Sequence, residues 1–361
     1  MKKNNLLLGT RKGLIVFKKK NGQWKFSSDH FPGIPVTYSM KDERNGRWWA
    51  CLEHGHWGCK LHYSDNEGKS WKETDAPKYP ESEVVKDKIK ATLKYLWCMS
   101  PGGNDQPKRL YIGTVPGGLF VSDNNGKTFE LIKGLWNHPS RKEKWFGGGM
   151  DQPGIHSILI NPKDSDHIMV GISCAGVFET TNGGKSWEPV NKGLKADFLP
   201  DPDSEVGQDP HLVVASPTNF KMLWQQNHCG IFKSDNGAKS WNEISEKKGI
   251  ANFGFAIEAD EIDENVAWVV PAISDEIRIA INGALCVCRT DDGGKSWKAF
   301  RNGLPQKNCY DIAFRHALSI TGNTLAFGTT TGNLFLSENR GEKWQTLSNT
   351  LPLIHSLKFI S

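Results

Sequence analysis

Three histidines hold one place in three apolar stretches of the chain. His156 lies six residues before Pro162 and His211 six before Pro217, while Gly154-Ile155-His156-Ser157-Ile158 superposes on Ile354-His355-Ser356-Leu357. Tyr95 has the same spacing before Pro101, and Tyr310 fits by a looser alignment with Asp311 beside it. Imidazoles and phenols at one level suit two chemistries. Neutral imidazoles ligate zinc, manganese, iron or copper, and such a metal activates water or stabilises an enolate. That reading makes His156, His211, His228 and His355 ligands to a divalent transition metal. Without a metal, His156 or His211 is the base, Tyr310 the acid and Asp311 their neighbour, as in a lyase. The positions lie in separate stretches and no short metal motif joins them. The plainer alternative is a solvated opening whose His and Tyr side chains bond to water and loop carbonyls.

What positions these residues is an internal repeat. Six segments start at positions 64, 122, 180, 234, 290 and 337, and follow [Ser/Thr]-x-[Asp/Asn]-x-Gly-x-[Ser/Thr]-Trp, with Phe129, Ala238 and Lys343 as departures. An Asn or Asp side chain takes the turn's own N–H groups, glycine supplies positive φ, and the tryptophan plugs the turn onto its sheet. Each segment follows apolar strands such as Arg109-Leu110-Tyr111-Ile112-Gly113 and Gly118-Leu119-Phe120-Val121, and several precede a Gly-Leu pair (Gly134-Leu135, Gly193-Leu194, Gly303-Leu304). Four short strands per repeat is the period of a β-propeller blade. The all-β expectation is a seven-bladed β-propeller in one domain, 1–361. The strand at 354–360 completes a blade begun by Asn5 to Gly9 and Leu14 to Lys18. Six blades with an outlying N-terminal hairpin is the alternative.

Alternating strand directions put the repeated turns on one rim, and the entries to the first strands with the second-to-third-strand loops on the other. That second rim gathers Glu53-His54-Gly55-His56-Trp57, Gln226-Asn227-His228-Cys229, Thr10-Arg11-Lys12 and Asp275-Glu276-Ile277-Arg278. Arg11 and Arg278 are candidate anion holders; Glu53, His54, His56, Tyr95 and Trp145 are candidate substrate contacts. Residues 75–92, 136–153 and 195–210 enter the same rim as long loops, which favours a ligand or partner there. Gly147-Gly148-Gly149 beside Trp145 and Phe146 reads as the hinge of an aromatic flap.

The repeated turns resemble Asp-boxes, or BNR repeats, and Leu7-Leu8-Gly9-Thr10-Arg11-Lys12-Gly13-Leu14 resembles uncharacterised bacterial propellers of the WD40/YVTN/BNR-like class called glycosyl hydrolase- or sialidase-like. The resemblance implies the propeller fold and leaves activity open. A sialidase would need an arginine triad, yet Phe31-Pro32-Gly33-Ile34-Pro35 lacks the arginine of the family's Arg-Ile-Pro motif. Xyloglucan-degrading relatives build their cleft between two propellers, and one is expected here.

Composition narrows the rest. Glycine is 37 of 361 residues and tryptophan 14, which suits tight turns and aromatic plugs. Net charge of +5 is too mild to argue for nucleic acid. No apolar run reaches the roughly 18 residues of a membrane helix. Met1 to Thr10 carries only three consecutive leucines, short of a secretory leader, so a cytoplasmic location is expected unless a leader has been removed. The eight cysteines contain no Cys-x-x-Cys and read as buried thiols. Two functions stay open. One is a hydrolase or lyase acting on a small-molecule or carbohydrate ligand; the other is a non-catalytic scaffold using an apolar patch of Trp57, Trp136, Trp145 and Phe146. A monomer is the expected state of either.

Overall fold

A computed structural model describes residues 3–361. Its strands form seven four-stranded antiparallel sheets, and the sheets form a seven-bladed β-propeller. The first strands of the second to seventh sheets are Val36–Lys41, Tyr95–Pro101, Gly154–Asn161, Pro210–Ser216, Gly254–Ala259 and Leu318–Thr321. In the first sheet, the C-terminal strand Ile354–Ile360 pairs with Asn5–Thr10, from Asn5 opposite Ile360 to Thr10 opposite Ile354. This is the closure expected from the sequence, and it excludes six blades with a hairpin left outside. Ile354, Leu357, Phe359 and Ile360 are buried there, and each such side chain stabilises the fold by about 1.5–3 kcal/mol.

Two compact units make up the chain: Met1–Ser39 with His211–Ser361, and Met40–Pro210. The first unit has one core around Trp268, Phe327, Phe335 and Trp344 and another around Leu6, Leu8, Phe17 and Phe359. In the second, Phe120, Leu131 and Trp136 pack with Tyr79. No helix among the described residues is long and apolar enough to cross a membrane. All eight cysteines are free thiols, six of them buried.

The six repeated turns close on themselves in one way. In the fifth sheet, the Ser234 hydroxyl accepts the Ala238 N–H at 2.9 Å and donates to Asn236 Oδ1 at 2.9 Å. Asn236 Oδ1 then accepts the Ser240 N–H at 3.1 Å. The same bonds recur from Ser64, Ser122, Thr180, Thr290 and Ser337. The two residues at each tip have positive φ, as at Gly183 (70°) and Gly184 (91°), which is why glycine recurs there. Four of the plugging tryptophans, Trp187, Trp241, Trp297 and Trp344, are buried.

The Gly-Leu pairs have a steric cause. A Cβ on Gly303 would lie 1.9 Å from the Trp344 carbonyl oxygen, and one on Gly134 would lie 2.2 Å from that of Gly184. Each glycine lets the end of one sheet press against the turn of the following sheet.

Candidate functional site

The first strands carry a device the sequence did not disclose: a residue left over from the pairing as the strand begins. Ile155 pairs with Ile172 and Ser157 with Gly171, leaving His156. Ser356 pairs with Gly9 and Ile354 with Thr10, leaving His355. Such bulges re-aim a side chain at a sheet's edge. The alignment of His156 with His355 therefore stands.

Two aligned positions differ from the expectation. In the third sheet Leu96 pairs with Thr114 and Cys98 with Gly113, so the counterpart is Trp97. Tyr95 lies two residues earlier, opposite Val115, with its ring edge-on to Trp97 at 6.1 Å. In the seventh sheet Leu318 pairs with Phe327, and Gly328 N–H bonds to the Ala317 carbonyl, which puts His316 at the entry. Tyr310 is instead 65% exposed on the preceding loop. Asp311 is buried, accepting hydrogen bonds from the Thr331 hydroxyl and from Asn333 Nδ2, and so ties that loop to its own sheet.

In the unit Met40–Pro210, His156 is buried, with Nδ1 2.9 Å from Ser157 Oγ and its ring edge-on to Trp97 at 5.6 Å. Glu53 ends a strand and His54 leads into the short helical turn Gly55–Trp57, which presents exposed His56 and Trp57. Trp145 is no free flap. It is buried at 5.1 Å from Phe178, and its indole N–H donates to Ser140 Oγ at 3.1 Å. Trp136 is buried too, with Arg141 3.8 Å over its ring. Of the proposed apolar patch, Trp57 is fully outside, and Phe146 is half-buried against Phe198.

The unit containing His211–Ser361 holds the densest constellation. His211, buried, sets Nδ1 2.6 Å from the Gly254 carbonyl oxygen. A carbonyl only accepts, so Nδ1 is the nitrogen that donates to it. The His211 ring stacks on Phe255 at 4.5 Å and meets His228 at 5.8 Å. His228, from the loop between second and third strands, has Nε2 3.7 Å from an Asp275 oxygen. Arg278 and Arg315 each place their guanidinium carbon 5.3 Å from the Phe255 ring centre. Asp209, near the end of the other unit, spends Oδ1 on the Ser173 hydroxyl and the Cys174 N–H, each at 3.0 Å.

His355 is different in kind. Burial, then the nearby charge of Arg11, pushes its pKa down to about 4. Its ring lies parallel to Phe314 at 6.4 Å, and its Nε2 is buried with no hydrogen-bond partner among the described residues. It is therefore a neutral imidazole at pH 7.

Sequence reasoning missed Trp97, Phe255, Arg315 and His316 at these entries. His316-Ala317-Leu318 matches His355-Ser356-Leu357 in pattern, a signal that was present; Phe255 and Arg315 gave none.

No family model and no curated protein sequence matches the chain. Solved structures do resemble it. An ancestral GH74 enzyme is 18% identical with a TM-score of 0.58 over 87% of this chain, which spans only 38% of that enzyme's length. A candidate 6-phosphogluconolactonase from Bacteroides uniformis is 13% identical with a TM-score of 0.59, covering 99% of both chains. YCF48 bound to D1 peptide is 13% identical with a TM-score of 0.55, over 87% of this chain and 82% of its own. At these identities the likeness establishes the β-propeller and nothing finer.

Proposed function

We propose that this chain is a propeller hydrolase or lyase acting on a small-molecule or carbohydrate ligand, with His211 as its central base or metal ligand. One observation carries the reading: the Gly254 carbonyl holds the His211 ring by Nδ1, with His228 beside it and two guanidiniums near the Phe255 ring on which it stacks. His211 and His228 are the donors that would hold a divalent transition metal. Imidazoles suit zinc or manganese, and the metal would supply Lewis acidity for an anionic transition state. Without it, His211 Nε2 removes a proton and Arg278 stabilises the charge that develops. His156, Tyr310 and Asp311 are secondary candidates in this scheme, and Glu53, His54, His56, Tyr95 and Arg11 candidate contacts. We read the repeated turns as Asp-boxes and the chain as one monomeric domain working in the cytoplasm.

The hydrolase-like neighbours agree with this reading in fold alone. The test is metal analysis of the purified chain together with turnover of aryl glycosides and lactones. The expected result is activity that falls at least about 100-fold in His211→Ala. Under the metal version, zinc or manganese is also lost from the His211→Ala, His228→Ala double variant. Activity untouched by both variants refutes the assignment.

A binding scaffold is the second reading. Trp57, 75% exposed beside His54 and His56, is the observation that favours it, and the peptide-bound YCF48 neighbour has the same fold. Loss of peptide capture in Trp57→Ala, with no turnover by the parent, would select it.

A further inference from the structure

Ser140 precedes the short helix Arg141–Lys144, where a serine usually accepts a backbone N–H of the first turn, yet its side chain makes no such bond. Its hydroxyl is engaged elsewhere. The Trp145 indole, which can only donate, gives its N–H to Ser140 Oγ at 3.1 Å. His138 Nδ1 lies 2.8 Å from the same oxygen and accepts the Ser140 backbone N–H at 3.3 Å. A ring nitrogen that accepts a backbone N–H carries the lone pair, so the Ser140 hydroxyl proton points at Nδ1 and the ring proton sits on Nε2. Both residues are half-buried. Phe178, fully buried, backs the pair: the His138 ring meets it edge-on at 5.1 Å, and Trp145 packs on it at 5.1 Å. Arg141 donates to the carbonyls of Val84, Val85 and Trp136, which pins the segment and commits the guanidinium to the fold. Burial holds the His138 pKa below its usual value, against the charge of Glu188, so the imidazole is neutral at pH 7. A hydroxyl whose proton is already aimed at a neutral imidazole is an activated nucleophile.

We infer that Ser140 and His138 form a nucleophile–base pair that cleaves an uncharged carboxylic ester, a reactive centre within Met40–Pro210 that asks nothing of His211. Ser140 Oγ bonds to the ester carbonyl carbon while its proton passes to His138 Nδ1. The bond to the alcohol oxygen then breaks, and that oxygen leaves with the proton from Nδ1. Water, handing a proton to His138 in turn, releases the carboxylic acid and restores the serine. The charge of Glu188 favours the imidazolium that forms and disfavours an anionic substrate, and the Arg141 fork is not free to offset it. The substrate is therefore a neutral ester.

The test treats the full-length chain with p-nitrophenyl acetate and, separately, with an uncharged fluorophosphonate, then maps the modified peptides by mass after an acid quench. One acetyl or phosphonyl group on Ser140 is expected, with a burst of nitrophenolate that is lost in Ser140→Ala. Modification should slow about 100-fold or more in His138→Gln and persist in His211→Ala. In the parent its rate should rise with pH to a plateau, with a midpoint below 6.5, because only the neutral imidazole takes the proton. His138→Gln should lose that step, which a merely structural role for the ring would leave in place. Circular dichroism confirms that each variant is folded, and the parent's peptide map and pH profile decide the matter if a variant is not. An unmodified Ser140 in the folded parent, a rate unchanged in folded His138→Gln, or a requirement for His211 overturns the inference. Loss of glycoside or lactone turnover in His211→Ala while Ser140 still takes the probe shows two separate centres.

Discussion

Ser234 and His211 stand at opposite ends of the fifth sheet. The Ser234 hydroxyl finds its partners inside one turn, at Asn236 and Ala238, and five other turns repeat the arrangement. His211 meets His228 of its own sheet and reaches across to Gly254, Phe253 and Phe255 of the sixth. A self-contained turn can be copied from blade to blade because its hydrogen bonds ask nothing of its neighbours. A strand entry satisfied by the next sheet is free to differ each time: Trp97, His156, His211, Phe255, His316 and His355 hold the corresponding positions. The copied end repeats what holds each sheet together, and the varied end is where the chemistry is proposed.

Three variants put that contrast under strain. The largest effect belongs to the copied end. Trp344 is buried in the core and edge-on to Phe327 at 5.0 Å, so Trp344→Ala should cost about 3–5 kcal/mol in urea unfolding. Any turnover that depends on His211 should survive in the folded fraction; its loss there would show that the two ends are not independent. A smaller effect comes from the varied end and depends on pH. His355 titrates near 4 when folded and near 6.5 when unfolded, so below pH 6.5 the unfolded chain takes up more protons. Stability is therefore full above pH 6.5 and declines as pH falls towards 4, by about 2 kcal/mol at pH 5. His355→Gln should flatten that slope, and an unchanged slope would place its source elsewhere. The smallest effect is Ser234→Ala, which removes the acceptor of the Ala238 N–H and should cost about 1 kcal/mol in the same unfolding assay. No measurable loss would mean that one copy of the turn is dispensable.

The same contrast explains what was legible in the sequence. The turns repeat, so six copies disclosed the blade, its strand count and the closure of the first sheet. The level of His156 and His211 was legible from proline spacing, because the strands that follow have equal length, and that of His355 from its match to the stretch around His156. Bulges break that arithmetic. Trp97 displaced Tyr95 because one extra residue enters the strand ahead of Cys98. His316 displaced Tyr310 because no proline follows to set the count. Phe255 and Arg315 matter through contacts between sheets, and neither residue type announces such a contact in one dimension. Trp145 looked like a flap from its glycines, yet a large aromatic beside a flexible segment is held wherever a pocket fits it, here against Phe178.

The pairing of Asn5–Thr10 with Ile354–Ile360 also governs the molecule's birth. As the chain leaves the ribosome, Asn5–Thr10 emerges with one edge bare, and its partner strand is made only after the whole of Met40–Pro210. Residues Met40–Pro210 can consolidate in the meantime, while the other unit waits for Ile354–Ile360. A strand edge bare for that long is a template for the wrong partner, so this pairing is the slow, exposed step of the fold.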